Sequence, residues 1–154
     1  MNGSDPIFFD DWEVGECIEI GCTRITRREA VEFARRWEPQ PYHLDDAAAR
    51  DSIYGGLTLC SLMLFAVCTR LFFDFERPVA VLGMLGKDEL RLPHPARPDE
   101  DLSYTTECIA KRPSKSRPDR GILTLRDTLA NAAGETVLTQ KVTLMVSRRP
   151  SAGT

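Results

Sequence analysis

Glu38 and His43 stand five residues apart in Trp37-Glu38-Pro39-Gln40-Pro41-Tyr42-His43, a carboxylate and an imidazole joined by a segment that two prolines stiffen. Proline fixes φ and lacks the N–H, so this stretch is expected to run as a rigid connection that is not helix. Rigidity lowers the entropy cost of holding two side chains in one geometry. An acid and a base held a few ångströms apart can position one water, take a proton from it and return a proton to a neighbouring atom. On spacing alone, a proline turn closed by a surface carboxylate and a hydrogen-bonded histidine is the better account of the segment, since proline-rich turns are common and histidine often serves structure.

The flanking elements must hold the pair in place. Upstream, Thr26 with Glu29 three residues on is a capping box, and Ala30, Phe33, Ala34 and Trp37 follow at helical spacing. A helix therefore leads into the segment, and Pro39 and Pro41 stop it. Downstream, Leu44 to Arg50 reads as a second short helix, with Asp45 and Asp46 favourable at its positive end, before Gly55-Gly56 break the chain. Leu57 to Phe73 reads as a third helix, apolar almost all round, and must be wrapped on most sides. Its less apolar stripe is Thr58, Ser61, Cys68 and Thr69.

Elsewhere the period is two. Asp11 to Ile20 alternates weakly and reads as a short strand, after a loose tail over Met1 to Pro6. Strands are expected at Ala80–Leu92, Leu102–Ala110, Gly121–Leu129 and Thr136–Ser147, with Asn131 to Glu135 turning between the last two. One strand, then helices, then four consecutive strands describe an α+β chain, an antiparallel sheet wrapped around one apolar helix. At 154 residues, one domain is expected, with its core over roughly Asp11 to Arg148.

Composition excludes several classes. With 20 Lys and Arg against 23 Asp and Glu the chain carries a net charge of −3, which counts against nucleic acid as a partner. Five cysteines without a C-x-x-C pair, and only two histidines, make a protein-held metal centre improbable and read as reduced thiols in a cytoplasmic protein. Residues Met1 to Asp10 lack a signal-peptide pattern, and the apolar run from Leu57 to Cys68 is too short and too polar to span a membrane. There is no Gly-rich dinucleotide fingerprint.

Glu38, Gln40, Pro41 and His43 resemble the hydratase signature of the MaoC-like family, which includes the (R)-specific enoyl-CoA hydratases. The resemblance continues through Leu44-Asp45, Gly55-Gly56 and the apolar helix, and returns at Leu90-Arg91-Leu92, Arg97-Pro98 and Ser114 to Gly121. It implies a hotdog fold, in which the sheet wraps the long helix, and a homodimer of such units. It departs at two positions. Glu38 stands where the family has Asp, and Ser61 stands where the family has the Gly whose backbone N–H is the oxyanion donor.

The resemblance implies a hydro-lyase acting on acyl-CoA. Glu38 and His43 would hold a water that attacks C3 of a trans-2-enoyl thioester while a proton goes to C2. The Ser61 N–H, at the start of the apolar helix, would face the thioester oxygen as enolate charge grows there. Gln40, Tyr42, Gly56 and Thr69 are expected to bind substrate, Thr69 because some hydratases of the family carry a pocket Ser at its offset. Coenzyme A enters as part of the substrate, with no metal or redox cofactor. Arg117, within a basic run from Lys111 to Arg120, could meet its phosphates, although a solvated connection explains that run equally well. His94, between Pro93 and Pro95, reads as a turn residue, and Cys60 and Cys68 as packing. A non-catalytic acyl-CoA binder is the alternative. A hotdog thioesterase is a weaker one, since such enzymes place a carboxylate on the central helix and none lies between Leu57 and Phe73.

Overall fold

The Thr26 capping box forms as the sequence requires: Glu29 N–H donates to the Thr26 hydroxyl, and the Glu29 carboxylate accepts from Thr26 N–H. It starts helix α1 (Arg27–Trp37) in a computed structural model that describes residues 5–151. Two short helices follow, α2 (Pro41–Leu44) and α3 (Asp46–Arg50), then the long helix α4 (Ser61–Asp74). Strand β1 (Cys17–Arg24) precedes the helices, and β2 (Val81–Arg91), β3 (Asp101–Pro113), β4 (Arg120–Ala130) and β5 (Thr136–Ser147) follow them. All pair antiparallel in one five-stranded sheet of order β1-β3-β4-β5-β2. The α+β architecture is the one expected.

The sheet wraps α4. Met63, Leu64, Val67, Cys68 and Leu71 of that helix are buried against Leu102, Tyr104, Leu129, Val137 and Leu138 of the strands. No helix among the described residues is long and apolar enough to cross a membrane.

Four local expectations are corrected. Helix α4 begins at Ser61, not Leu57, because Leu59 N–H donates to Ala96 O (2.8 Å), a tertiary bond that holds Leu57 to Cys60 out of the helix. Thr58 is therefore not on the helix stripe. The Glu38–His43 segment is not wholly non-helical: Pro41 starts the single turn α2 at N1, where its missing N–H costs nothing. Strand β1 begins at Cys17 rather than Asp11, since Phe9–Asp11 form a 3₁₀ turn that buries Phe9 and Trp12. Finally, the chain is tied down well before Asp11. Ile7 bridges to Val79, Asp5 and Asp11 pair with Arg149, and the Phe9 ring lies where a Cβ on Gly121 would come within 2.3 Å of it. Of the tail expected over Met1 to Pro6, residues 1–4 lie outside the described residues.

Candidate active site

Glu38 is the C-cap of α1, its N–H donating to Ala34 O (2.8 Å). A carboxylate at a helix C-terminus is electrostatically unfavourable, and at an N-terminus favourable. Glu38 meets the second condition through its reach: the Ser61 hydroxyl, on the first residue of α4, donates to Glu38 Oε2 (3.4 Å). The other carboxylate oxygen, Oε1, lies 3.6 Å from His43 Nε2.

His43, on the single turn α2, is buried, at 5% exposure. Its main-chain N–H donates to Gln40 O (2.9 Å) as α2 winds. Its ring is fixed by Thr58, whose carbonyl oxygen lies 2.8 Å and whose hydroxyl lies 3.0 Å from Nδ1. A carbonyl can only accept, so Nδ1 carries the proton. In the neutral ring Nε2 is then a bare lone pair directed at Glu38. Two proton acceptors 3.6 Å apart leave room for a shared proton, or for a water engaged by both.

Ser61 opens a helix whose N-cap, Cys60, makes no side-chain cap bond. Its N–H is one of the N-terminal donors without an intrahelical acceptor, at the positive end of the α4 dipole. Burial, with the Glu38 charge adding, pushes the Cys60 thiol up, and burial followed by Asp127 pushes Cys68 up to about 12. Both thiols stay protonated at neutral pH, as expected of packing residues rather than nucleophiles.

Glu38, His43 and Ser61 line one cavity of about 220 Å³ together with Tyr42, Tyr54 and His94. The Tyr42 ring packs edge-on to His43 at 4.6 Å and against Tyr54 at 5.0 Å. Burial raises the Tyr42 phenol, with Tyr54 and Glu38 adding to the shift, so it remains a hydrogen-bond donor. His94 is more than the turn residue expected. Its Nδ1 is 3.0 Å from Thr136 O, and its Nε2 points to Glu135 at 3.7 Å, on the rim of the same cavity. Arg97 is not among the expected site residues, yet its guanidinium donates to the carbonyls of Tyr54, Gly56 (2.7 Å) and Leu57 (3.3 Å). It thereby fixes the loop that delivers Thr58 to His43. The only sequence signal for it was its place in the Arg-Pro pair of the family resemblance.

The remaining expected residues are placed differently. Gln40 is exposed and acts through its backbone, its N–H bonding Glu38 O (2.8 Å) and its carbonyl accepting from His43. Gly56 lies behind the wall, where a Cβ would come within 3.3 Å of the Arg97 guanidinium. Thr69 donates to Phe65 O (2.9 Å) and lines a second, larger cavity farther along α4. Arg117 sits in the β3–β4 connection, whereas the site borders the β4–β5 turn at the other end of β4. Eleven residues of strand separate those ends by roughly 35 Å, so within one chain Arg117 does not reach the site. Among the described residues, no group of three or more His, Cys, Asp or Glu could hold a metal ion.

No family model matches the chain. Uncharacterized protein YdeM of Bacillus subtilis (strain 168) is 20% identical over 141 residues, 90% of this chain and 98% of that one. The solved (R)-hydratase PhaJ1 from Pseudomonas aeruginosa shares the fold at a TM-score of 0.72 and 22% identity, covering 97% of this chain and 94% of its own. A MaoC-like dehydratase from Rhodospirillum rubrum superposes at a TM-score of 0.87 with 37% identity, over 94% of this chain and 99% of that one. Identity at that level along nearly the whole of both chains, carried on the same wrapped-helix fold, shows the relationship: this chain belongs to the MaoC-like dehydratases, proteins of the hotdog fold.

Proposed function

We propose that this chain adds water to a trans-2-enoyl-CoA, and in reverse dehydrates a 3-hydroxyacyl-CoA. The observation that carries this reading is the Glu38 carboxylate lying between His43 Nε2 (3.6 Å) and the Ser61 hydroxyl (3.4 Å) at the start of α4. Glu38 and His43 hold the attacking water between Oε1 and Nε2. One takes its proton as oxygen bonds to C3, and the proton that completes the product is delivered to C2 from the same pair. The Ser61 N–H and the α4 dipole stabilise the enolate oxygen as it forms. Tyr42 borders the acyl thioester, and the acyl chain runs along α4 towards the cavity that Thr69 lines. No cofactor takes part, and coenzyme A belongs to the substrate.

The working unit is a homodimer. Strand β2 is an edge of the sheet and exposes Leu82, Met84 and Leu85, a hazard unless a second copy covers it. Across that contact Arg117 of one protomer could serve the other. The chain works as one domain, and its five free thiols suit a reducing cytoplasm.

The deciding experiment is incubation with crotonyl-CoA and longer enoyl-CoAs. Loss of the enoyl-thioester absorbance with formation of the hydroxyacyl ester supports the reading. Binding without turnover replaces it with a non-catalytic acyl-CoA binder, and release of free thiol with a thioesterase. The last is disfavoured by α4, whose one carboxylate, Asp74, ends the helix and pairs with Arg70 (2.7 Å).

A further inference from the structure

The larger cavity, about 420 Å³, lies within the size range of small-molecule sites. It runs along successive turns of the helix that starts at Ser61, bordered by Cys68, Thr69 and Phe72. Most of the opposite wall is apolar, from Met84, Leu125, Val142 and Leu144. One part is not. Lys87, Tyr104, Asp127 and Gln140 also face this space.

These groups form an organised row. Thr106 on β3, Asp127 on β4 and Gln140 on β5 are register neighbours across three strands. The Thr106 hydroxyl donates to Asp127 Oδ1 and the Gln140 amide to Asp127 Oδ2, each at 2.8 Å, and none of the three is more than 3% exposed. From β2, Lys87 Nζ donates to Gln140 Oε1 (3.3 Å) and lies 5.9 Å from the Phe65 ring centroid.

Sheet packing does not demand such a row. Leu125 and Leu129, also inward on β4, show what the fold accepts at these positions. Burying polar groups there costs stability that hydrogen bonds only partly offset. Asp127 and Gln140 hold one another in place, while the ammonium of Lys87 has three donors and gives one, over a long bond, to Gln140. An oxygen entering this end of the cavity would find an oriented cation and amide. Burial pushes the Asp127 carboxyl up, towards its neutral form, which lessens repulsion of such an oxygen.

We propose that Lys87 and Gln140, braced by Asp127 and Thr106, recognise an oxygen on the distal part of the acyl group, a hydroxyl or a carboxylate. The substrates are then oxygen-bearing acyl thioesters rather than plain hydrocarbon ones. This rests on the acyl-thioester reading above.

The test is calorimetric titration of the full chain with three saturated esters of similar length, hexanoyl-CoA, ω-hydroxyhexanoyl-CoA and adipoyl-CoA, so that no turnover is needed. At least one oxygen-bearing ester should bind about tenfold more tightly than hexanoyl-CoA, the scale of a charge-assisted hydrogen bond. Which of the two gains more identifies hydroxyl or carboxylate. Lys87→Met, a change at an exposed strand position, should bring all three to within about twofold while leaving hexanoyl-CoA affinity unaltered. Equal or tighter binding of hexanoyl-CoA overturns the inference, as does a preference that survives Lys87→Met; both leave the acyl-thioester reading standing. Failure of all three esters to bind overturns that reading and the inference with it.

Discussion

The Ser61 hydroxyl donates to the Glu38 carboxylate across 3.4 Å, so the two positions at which this chain departs from the family signature touch each other. The longer Glu side chain carries its carboxylate from the C-terminus of α1 to the N-terminus of α4, from an unfavourable helix end to a favourable one. The hydroxyl that replaces the family's glycine hydrogen meets it there. Each departure supplies a partner for the other.

That contact makes the two substitutions interdependent. Glu38→Asp withdraws the carboxylate by one methylene and should lower kcat/KM by about 10²-fold, the scale expected of a displacement near 1 Å. Glu38→Gln keeps the shape, loses the base, and should be comparably impaired. Combining Glu38→Asp with Ser61→Gly should cost less than the two single losses multiplied, since groups in contact couple by about 0.5–3 kcal/mol. A cycle of four kcat/KM measurements reads this directly. Strictly multiplicative losses would show the contact to be incidental. Activity gained by Glu38→Asp alone would favour the non-catalytic reading of the natural chain.

His43→Ala should reduce hydration by at least about 10²-fold, as for other positioned acids and bases. Because the imidazole is buried and bonded to Thr58, it should also lower stability by about 1–3 kcal/mol, the cost of leaving buried polar groups unpaired. Thr58→Val tests the ring's support separately. It removes the hydroxyl but keeps the carbonyl that fixes the tautomer, so its effect on kcat should be much smaller. Denaturant titration and initial rates on both variants check these outcomes, and near-normal turnover in His43→Ala would remove the pair from the mechanism.

Local signals were legible where the cause is local. The Thr26–Glu29 box, the alternation of β5 and the Asn131–Glu135 turn follow from neighbouring residues, and all three form where expected. Legibility fails where a partner comes from far along the chain. Leu57 to Cys60 is apolar enough to prolong α4, and tertiary bonds hold it apart: Leu59 N–H to Ala96 O, the Arg97 guanidinium to Leu57 O, and Thr58 to the His43 ring. The burial of His43 depends on Thr58, fifteen residues on. The Glu38–His43 pair was readable because both residues lie on one stiff segment. Arg97 and His94 were not, since they reach the site only through the fold. The row of Thr106, Asp127 and Gln140 exists only in the register of three strands, and in the sequence each is one polar residue among polar neighbours, between Thr105 and Glu107, Arg126 and Thr128, and Thr139 and Lys141.

Strand β2 sets an oligomeric prediction. Leu82, Met84 and Leu85 are more than half exposed on a sheet edge, which natural sheets protect by pairing or by charge. Sedimentation at micromolar concentration should show a species heavier than the 17.3 kDa chain, and Leu85→Lys should shift it towards that mass. A wild-type protein sedimenting only as a 17.3 kDa species would rule the dimer out.

Asp127 gives a pH dependence whose sign follows from burial. Desolvation raises its carboxyl in the native state, outweighing the hydrogen bonds from Gln140 and Thr106 that pull it down. In the unfolded chain it titrates near the ordinary value of about 3.9. Between the unfolded and the native values the folded state therefore holds more protons than the unfolded one, and stability falls as pH rises. The contribution is fully present below about 3.9 and is lost as pH climbs through the native value. Asp127→Asn cannot titrate. The difference in unfolding free energy, wild type minus variant, should therefore decline with rising pH across that window and level off above it. Every other titrating group is common to both proteins and largely cancels. An amide that serves Gln140 less well than the carboxylate shifts the whole curve without changing its slope. Urea titrations at a series of pH values measure it, and a difference that stays flat or grows with pH would mean that the hydrogen bonds, not burial, govern this carboxyl.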